Sequence, residues 1–479
     1  MTDDAVDGPD GPADVDAADS SPGGGRSDGS DEPGAGGPGP LVHRRRFDRE
    51  IFALALPALG ALAAEPLYVL ADTAVVGRLG TIPLAGLAAA NGVLVTLFAV
   101  FIFLAYGTTA SVARLLGAGE ERRAAHHAVQ AIWLAIGLGV AVGVVGFVAA
   151  PWLLGLLGAT GAVLDEALVY LRISLFGVPA MLVVYAGTGY LRGLQDTRTP
   201  LVVAVVSATF NLVFECILIF GLGFAIGASA LSTVVAQWGA AAVYLWWVAR
   251  AVRRHDVGLR PDGPAVRGQL VVGRDLLVRT IALRAAFVAS IAVAARFGPV
   301  ALASHQITVE IWTFLALVLD AVAIAGQAMT GRFLGAADLD GARAAGRRMI
   351  EWGVVAGVVL GAGLALLHGV LPAVFSADPA VQALTATLLL IAAAMQPLNG
   401  GVFALDGILI GAGDLRFLAV AMVISIVVFV PLAIGVAALD LGVTWLWAAL
   451  AVFMAARAIT LGLRFAGTAW LVPGADHPR

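Results

Sequence analysis

A series of about twelve apolar stretches dominates this chain, each close to the roughly 20 residues that a helix needs to cross a bilayer. Hydrophobic residues make up 60% of the chain, against about 45–50% in a typical soluble domain, which is more than a soluble core can bury. The stretches are continuous and lack the roughly ten-residue alternation of an outer-membrane barrel. The sequence therefore predicts an all-α polytopic membrane protein. The predicted spans are 51–76, 84–111, 125–150, 164–189, 200–221, 227–250, 273–295, 300–330, 345–370, 380–409, 415–437 and 443–468.

The two halves of the chain repeat the same glycine, proline, arginine and aspartate positions at a spacing of 218 residues. The repeated pairs are Gly80 and Gly298, Arg114 and Arg332, Gly117 and Gly335, Pro179 and Pro397, Gly189 and Gly407, Gly193 and Gly411, Asp196 and Asp414, and Arg198 and Arg416. We therefore predict an N-terminal lobe (47–250) and a C-terminal lobe (273–470), with six spans each and a cytoplasmic linker at 251–272. Because six is even, the lobes are parallel repeats with a pseudo-twofold axis along the membrane normal, whereas inverted repeats need an odd number.

The arginines outside the spans indicate the orientation, since the chain has no lysine. With twelve spans, nearly all of them fall on the side of the N-terminus, and only Arg78 and Arg296 fall in the opposite loops. This bias predicts that both termini are cytoplasmic. Residues 1–46 are rich in Gly, Pro, Ser and Asp and predict a disordered acidic tail, while 471–479 form the cytoplasmic C-terminus. The arginines at 44–46 are expected to contact anionic lipid headgroups.

Ionisable residues inside predicted spans are the candidates for chemistry, because a charge in the bilayer is costly and usually faces a pathway or relay. Glu65 and Asp72 lie seven residues apart in the first span, hence on one helix face. Pro57 and Pro66 each remove a backbone hydrogen bond from the same helix and favour a kink. An acidic residue close to a proline that interrupts the hydrogen bonds of its own helix is a candidate for a conformational switch in that helix.

Asn211 and Glu215 share one face of the fifth span, because they lie four residues apart. Burial favours the neutral form of a carboxyl group, so Glu215 could load and release a proton. Oxygen ligands without sulfur also suit a hard cation such as Na⁺. A hydrogen-bonded packing role remains the alternative.

The C-terminal lobe has its own polar residues within predicted spans. They are Arg284, Glu310, Asp320, Gln327 and Asp406. Asp320 and Gln327 are seven residues apart and share a face. Arg284 most simply pairs with one of the acids as a clamp between helices, and a role in substrate binding is the alternative.

Several motifs resemble the multidrug and toxic compound extrusion (MATE) family of transporters. Segment 70–80 (LADTAVVGRLG), preceded by Pro57, looks like the first-span signature of that family. Further matching positions are Arg192-Gly193 with Asp196 and Pro200, Asn211 with Glu215, Ser304-His305-Gln306, Asp320 with Gly326-Gln327-Ala328, and Asp406-Gly407 with 411–414. The resemblance covers about residues 48–468 and is greatest to the DNA-damage-inducible protein F (DinF-like) branch.

That resemblance implies a V-shaped pair of lobes in a bacterial cytoplasmic membrane, exporting amphipathic or cationic organic compounds in exchange for H⁺ or Na⁺. It implies an ion-coupling site at Asp72, Asn211 and Glu215, with Thr233 of the sixth span as a further member and Pro57 as the kink. Glu215 stands where the family usually has an aspartate, so the identity of the ion stays open. No cofactor, resident metal or nucleic acid is expected. The expected partners are small organic substrates and membrane lipids, and one chain supplies both lobes, which favours a functional monomer.

Two other functions compete with this reading. One is a lipid or lipid-linked oligosaccharide flippase of related architecture. The other is a membrane enzyme or receptor, which is disfavoured because the sequence shows no metal-ligand spacing, nucleophile elbow or phosphate-binding glycine loop.

Overall fold

The structure is a computed structural model that describes residues 40–475, with side chains described from residue 45 onward. Most of the predicted acidic tail, and the last four residues of the predicted C-terminus, therefore lie outside the described residues. Residues 40–46, predicted as the end of the tail, belong to the first helix.

All regular structure in the described residues is helical. The helices are α1 (Pro40–Gly77), α2 (Thr81–Phe101), α3 (Phe103–Gly117), α4 (Glu121–Leu156), α5 (Gly161–Leu175), α6 (Val178–Gly193), α7 (Arg198–Cys216), α8 (Gly227–His255), α9 (Gly263–Arg296), α10 (Pro299–Gly335), α11 (Leu339–Leu367), α12 (Leu371–Phe375), α13 (Pro379–Gly411), α14 (Leu415–Ala438) and α15 (Val443–Ala466). A π-helical turn, Ile217–Gly221, follows α7 directly.

Twelve membrane spans can be counted in the described chain. Eleven helical segments are long and apolar enough to cross a bilayer, and α5 with α6 forms a twelfth that is bent by 48°. The second span consists of α2 and α3, and the fifth runs from α7 through the π-helical turn. The predicted fold class of twelve helices in two six-helix lobes is confirmed. We call the membrane side at which α1 begins the proximal side and the opposite side the distal side.

The 218-residue repeat corresponds to the same close helix contact in each lobe. In the N-terminal lobe, a Cβ added at Gly189 of α6 would lie 2.5 Å from the carbonyl oxygen of Ala105 in α3. In the C-terminal lobe, a Cβ added at Gly407 of α13 would lie 2.3 Å from the carbonyl oxygen of Ala323 in α10. Both distances are far below van der Waals contact, so these backbones approach closely only because glycine is present. Small residues are the usual means of such packing in membranes.

The lobes meet at their proximal ends through another repeated pair. A Cβ added at Gly117 would lie 2.0 Å from the carbonyl oxygen of Arg332, and one added at Gly335 would lie 2.0 Å from that of Arg114. Gly117 and Gly335 are repeat partners, as are Arg114 and Arg332. The contact is therefore pseudo-twofold symmetric, and it closes the seam between α3 and α10 on the proximal side.

The segment 251–272, predicted as a linker, is largely helical. α8 continues through His255 and α9 begins at Gly263, which leaves only 256–262 between helices. Asp262 caps α9 by accepting a hydrogen bond from the Ala265 backbone N–H at 3.3 Å. Charged residues can extend a helix beyond the bilayer because water solvates their side chains, so the end of an apolar run does not mark the end of a helix.

Candidate functional site

Three helices of the N-terminal lobe each contribute two polar residues spaced four apart, and these six side chains meet in the distal half of the lobe. We call them the N-lobe polar cluster: Tyr68 and Asp72 of α1, Asn211 and Glu215 of α7, and Ser229 and Thr233 of α8. Residues four apart lie on one face of a helix, so each helix presents both of its side chains to the same place. The π-helical turn begins two residues after Glu215, and π-helical turns are frequent at functional sites.

Hydroxyl groups orient this cluster. The Ser229 hydroxyl donates to an Asp72 carboxylate oxygen at 2.5 Å. The Thr233 hydroxyl donates to the Ser229 backbone carbonyl at 3.0 Å, so it acts as the acceptor for Tyr68 at 2.8 Å and for the Asn211 amide at 3.2 Å. One threonine thereby connects all three helices.

The Asp72 and Glu215 carboxyl groups lie side by side within the cluster. Asp72 is 2% exposed and Glu215 is 0% exposed. Both Glu215 oxygens and the Asn211 side-chain oxygen are buried and accept no hydrogen bond from any described residue. Two buried carboxylates at close range repel each other unless a proton or a cation lies between them. The arrangement therefore suits reversible binding of one positive charge.

The structure brings Asp72, Asn211, Glu215 and Thr233 together, as the sequence resemblance implied. Tyr68 and Ser229 were not selected from the sequence. Tyr170 of α5 also approaches Ser229 and Thr233 and was missed as well. The four-residue spacings of Tyr68 to Asp72 and of Ser229 to Thr233 are the signal that could have identified the first two.

The other acid of the first span lies apart from this cluster. Glu65 is exposed rather than buried with Asp72, and it lies near Tyr185 of α6. α1 is one continuous helix through Pro57 and Pro66, and the kink at these residues stays a prediction.

A second polar group lies between the lobes, and we call it the inter-lobe charge cluster. Its members are Tyr106, Arg192, Arg279, Asp320, Asp406 and Arg457. The Tyr106 hydroxyl of α3 donates to Asp320 of α10 at 3.2 Å, which crosses from one lobe to the other. Asp406 accepts from Arg279 at 2.8 Å and also forms an ion pair with Arg457. Arg192 of α6 lies near enough to Asp320 for their opposite charges to attract each other. The cluster joins α3 and α6 to four helices of the C-terminal lobe.

The ion pair expected for Arg284 is not formed with any described residue. Arg284 is exposed, and Arg279, five residues earlier in α9, holds Asp406 instead. Five residues turn a helix by about 500°, or about 140° around the axis, so the two arginines point to different faces.

Glu310 is exposed and accepts from the Gln306 amide at 2.9 Å, while Gln327 is buried on α10.

This chain is similar to one protein family over most of its length, and to several curated proteins and solved structures. The MatE family model matches residues 57–217 and 276–434, so its two matches are offset by about the length of the internal repeat. The DETOXIFICATION 44 protein of Arabidopsis thaliana is 32% identical over 86% of this chain and 81% of its own length. The DNA damage-inducible protein F of Escherichia coli is 30% identical over 86% of this chain and 91% of its own length.

A crystal structure of a MATE transporter from Vibrio cholerae shares the fold, with a TM-score of 0.81 and 18% identity over 89% of this chain and 97% of that one. The family match makes this twelve-span protein a polytopic membrane transporter rather than an enzyme. The chain belongs to the MATE family, and its relatives include a multidrug resistance protein of Yersinia enterocolitica and a probable multidrug resistance protein of Xanthomonas campestris.

Proposed function

We propose that this protein is a secondary antiporter that exports amphipathic or cationic organic compounds in exchange for H⁺ or Na⁺. The observation that carries the proposal is the buried Asp72–Glu215 pair, whose neighbouring carboxyl groups require a positive charge for stability. A shared proton satisfies that requirement. So does Na⁺, for which the Glu215 and Asn211 oxygens are available ligands.

Helix α1 is suited to couple the ion site to movement of the lobes. Near its distal end it carries Asp72, and near its proximal end it is held to the other lobe. There, Asp48 accepts from Arg348 of α11 at 2.6 Å, and Glu50 forms an ion pair with Arg332 of α10. Binding of a cation at Asp72 can thus strengthen or weaken the inter-lobe ion pairs at the other end of the same helix. Alternating access needs an element of this kind, with two states that a bound ligand can shift.

The proposed setting is the cytoplasmic membrane, with both termini in the cytoplasm. The arginine bias supports this orientation, since it places the proximal side inside the cell. One chain forms both lobes, which supports function as a monomer.

Replacing Asp72 with Asn should abolish gradient-driven transport in proteoliposomes. The substitution removes one negative charge while keeping the shape of the side chain, so the repulsion between two carboxylates, which requires a bound proton or cation, is lost. Transport of a fluorescent organic cation is followed with a pH gradient alone and with a Na⁺ gradient alone, which identifies the ion. Asp440→Asn is the matched control, because Asp440 is exposed in a loop with φ of 51°, which Asn tolerates. Undiminished transport by Asp72→Asn under both gradients would refute the proposal.

A further inference from the structure

The residues that follow α15 fold back across the proximal side of the protein, and we call them the C-terminal strap (467–475). Trp470 anchors the strap to the C-terminal lobe. Its side chain is fully buried, its ring stacks on Phe465 of α15 with the centroids 5.1 Å apart, and its indole N–H donates to the Phe465 carbonyl at 3.0 Å. Arg343 of α11 also donates to the Gly467 carbonyl at 3.0 Å. The start of the strap is therefore fixed to one lobe.

The end of the strap reaches the place where the two lobes meet. The Gly474 backbone N–H donates to the carbonyl of Leu334 in α10 at 2.9 Å. The carbonyl of Val472 accepts from the guanidinium group of Arg114 in α3 at 2.7 Å. Because α10 belongs to the C-terminal lobe and α3 to the N-terminal lobe, the strap bridges the proximal seam.

The internal repeat shows what the strap contributes to this seam. Arg332 of the C-terminal lobe forms an ion pair with Glu50 of α1, in the N-terminal lobe. Its repeat partner Arg114 reaches in the opposite direction, from the N-terminal lobe to the strap. The repeat partner of Glu50 is Gly268, which has no side-chain carboxylate to offer. Where one copy uses an acid, the other therefore uses the backbone carbonyl of Val472 as an acceptor.

The Arg114 guanidinium group is buried, so its acceptors matter for the closed seam. Arg114 is 2% exposed. It also donates at 3.0 Å to the carbonyl of Ala412, directly after the last residue of α13, where the end of a helix favours a positive charge. A buried charged group that loses an acceptor is destabilised. Docking of the strap on Arg114 therefore favours the conformation in which the proximal seam is closed.

We propose that the C-terminal strap is a latch that stabilises the conformation closed on the proximal side and releases Arg114 when that side opens. The anchor at Trp470 keeps the strap on the C-terminal lobe, so the bond that breaks is the one between Val472 and Arg114. The proposal rests on the proposed function in one respect, since alternating access requires the proximal side to open. The latch acts on the equilibrium between two conformations and needs no ion of its own.

Two variants should release the strap, and each has a matched control. Gly474→Pro removes the N–H that donates to Leu334, and proline cannot adopt the φ of 96° at this position. Gly474→Asn keeps the N–H and tolerates positive φ better than most residues, and an added Cβ there meets no atom within 4 Å. Trp470→Ala removes the anchor, whereas Trp470→Phe retains an aromatic ring to stack on Phe465.

Docking of the strap and closure of the seam are measured separately. Hydrogen–deuterium exchange of the peptide 467–475, followed by mass spectrometry, reports docking. Electron–electron double resonance in lipid nanodiscs reports the seam, with spin labels at Arg198→Cys and Arg416→Cys in a Cys216→Ser background. These two exposed positions lie at the starts of α7 and α14, one in each lobe.

The unmodified protein should show slow exchange in the strap and mainly the shorter distance. Gly474→Pro and Trp470→Ala should speed the exchange and raise the population with the longer distance about tenfold, since one hydrogen bond to a charged group changes such an equilibrium by about that factor. Gly474→Asn and Trp470→Phe should stay close to the unmodified protein in both measurements.

Faster exchange with an unchanged distance distribution would overturn the proposal, because the released strap would then not hold the seam. Unchanged exchange in both Gly474→Pro and Trp470→Ala would also overturn it, because docking would not depend on these contacts. Neither measurement uses a substrate or an ion gradient, so failure of the latch can be told apart from failure of the proposed antiport.

Discussion

At the scale of single residues, the N-lobe polar cluster depends on one hydroxyl group. Thr233 donates to the Ser229 carbonyl and accepts from both Tyr68 and Asn211. The sequence could indicate Asn211 and Glu215, because polar pairs at helical spacing are rare in a membrane span. The spacing of Tyr68 to Asp72 placed Tyr68 on the same helix face, but only the tertiary arrangement shows that its hydroxyl meets Thr233, since aromatic residues in spans usually serve packing. The sequence also could not separate Arg279 from Arg284, because the choice depends on which face of α9 is turned toward Asp406.

Thr233→Val should destabilise the protein by about 1–3 kcal/mol, because it leaves buried donors on Tyr68 and Asn211 without their acceptor. Thr233→Ser keeps the hydroxyl and should remain close to the unmodified protein. The measurement is the apparent midpoint of thermal unfolding in detergent. A valine variant as stable as the serine variant would show that this hydroxyl does not hold the cluster together.

At the scale of helices, the sequence predicted the number and order of the spans but not their internal breaks. Hydropathy reports only whether a segment is apolar, so it did not reveal the 48° bend between α5 and α6 or the division between α2 and α3. The repeated glycines, in contrast, marked true structural positions. Gly189 lies where α6 approaches α3 in the N-terminal lobe, and Gly407 lies where α13 approaches α10 in the C-terminal lobe.

Gly407→Ala should cost about 1–3 kcal/mol of stability, the usual effect of overpacking, because the new Cβ would lie 2.3 Å from a backbone oxygen that cannot move aside. Gly401→Ala in the same helix is the control, since its nearest neighbour is a side-chain carbon of Val354 at 3.5 Å. Thermal unfolding of both variants in detergent provides the comparison. Equal midpoints for the two would contradict a role for close packing at Gly407.

At the scale of the whole molecule, a symmetric scaffold carries an asymmetric set of charges. The repeat conserves the glycine contacts within each lobe and at the proximal seam. The carboxylates of α1 have no counterpart in α9, since the repeat partners of Asp72 and Glu50 are Ser290 and Gly268. We therefore propose that the ion binds in the N-terminal lobe and that both lobes move. The sequence could predict this division, because the polar positions that break the repeat are visible without a structure.

The most direct test is the distance between the distal ends of the two lobes, measured by electron–electron double resonance in lipid nanodiscs. Spin labels are placed at Thr160→Cys and Ala377→Cys, two exposed distal positions, after the single cysteine is removed by Cys216→Ser. We expect the distance distribution to shift between acidic and alkaline pH, or on adding Na⁺. The shift should be lost when Asp72→Asn and Glu215→Gln are combined. A shift of equal size in that double variant would contradict the claim that this pair drives the lobes.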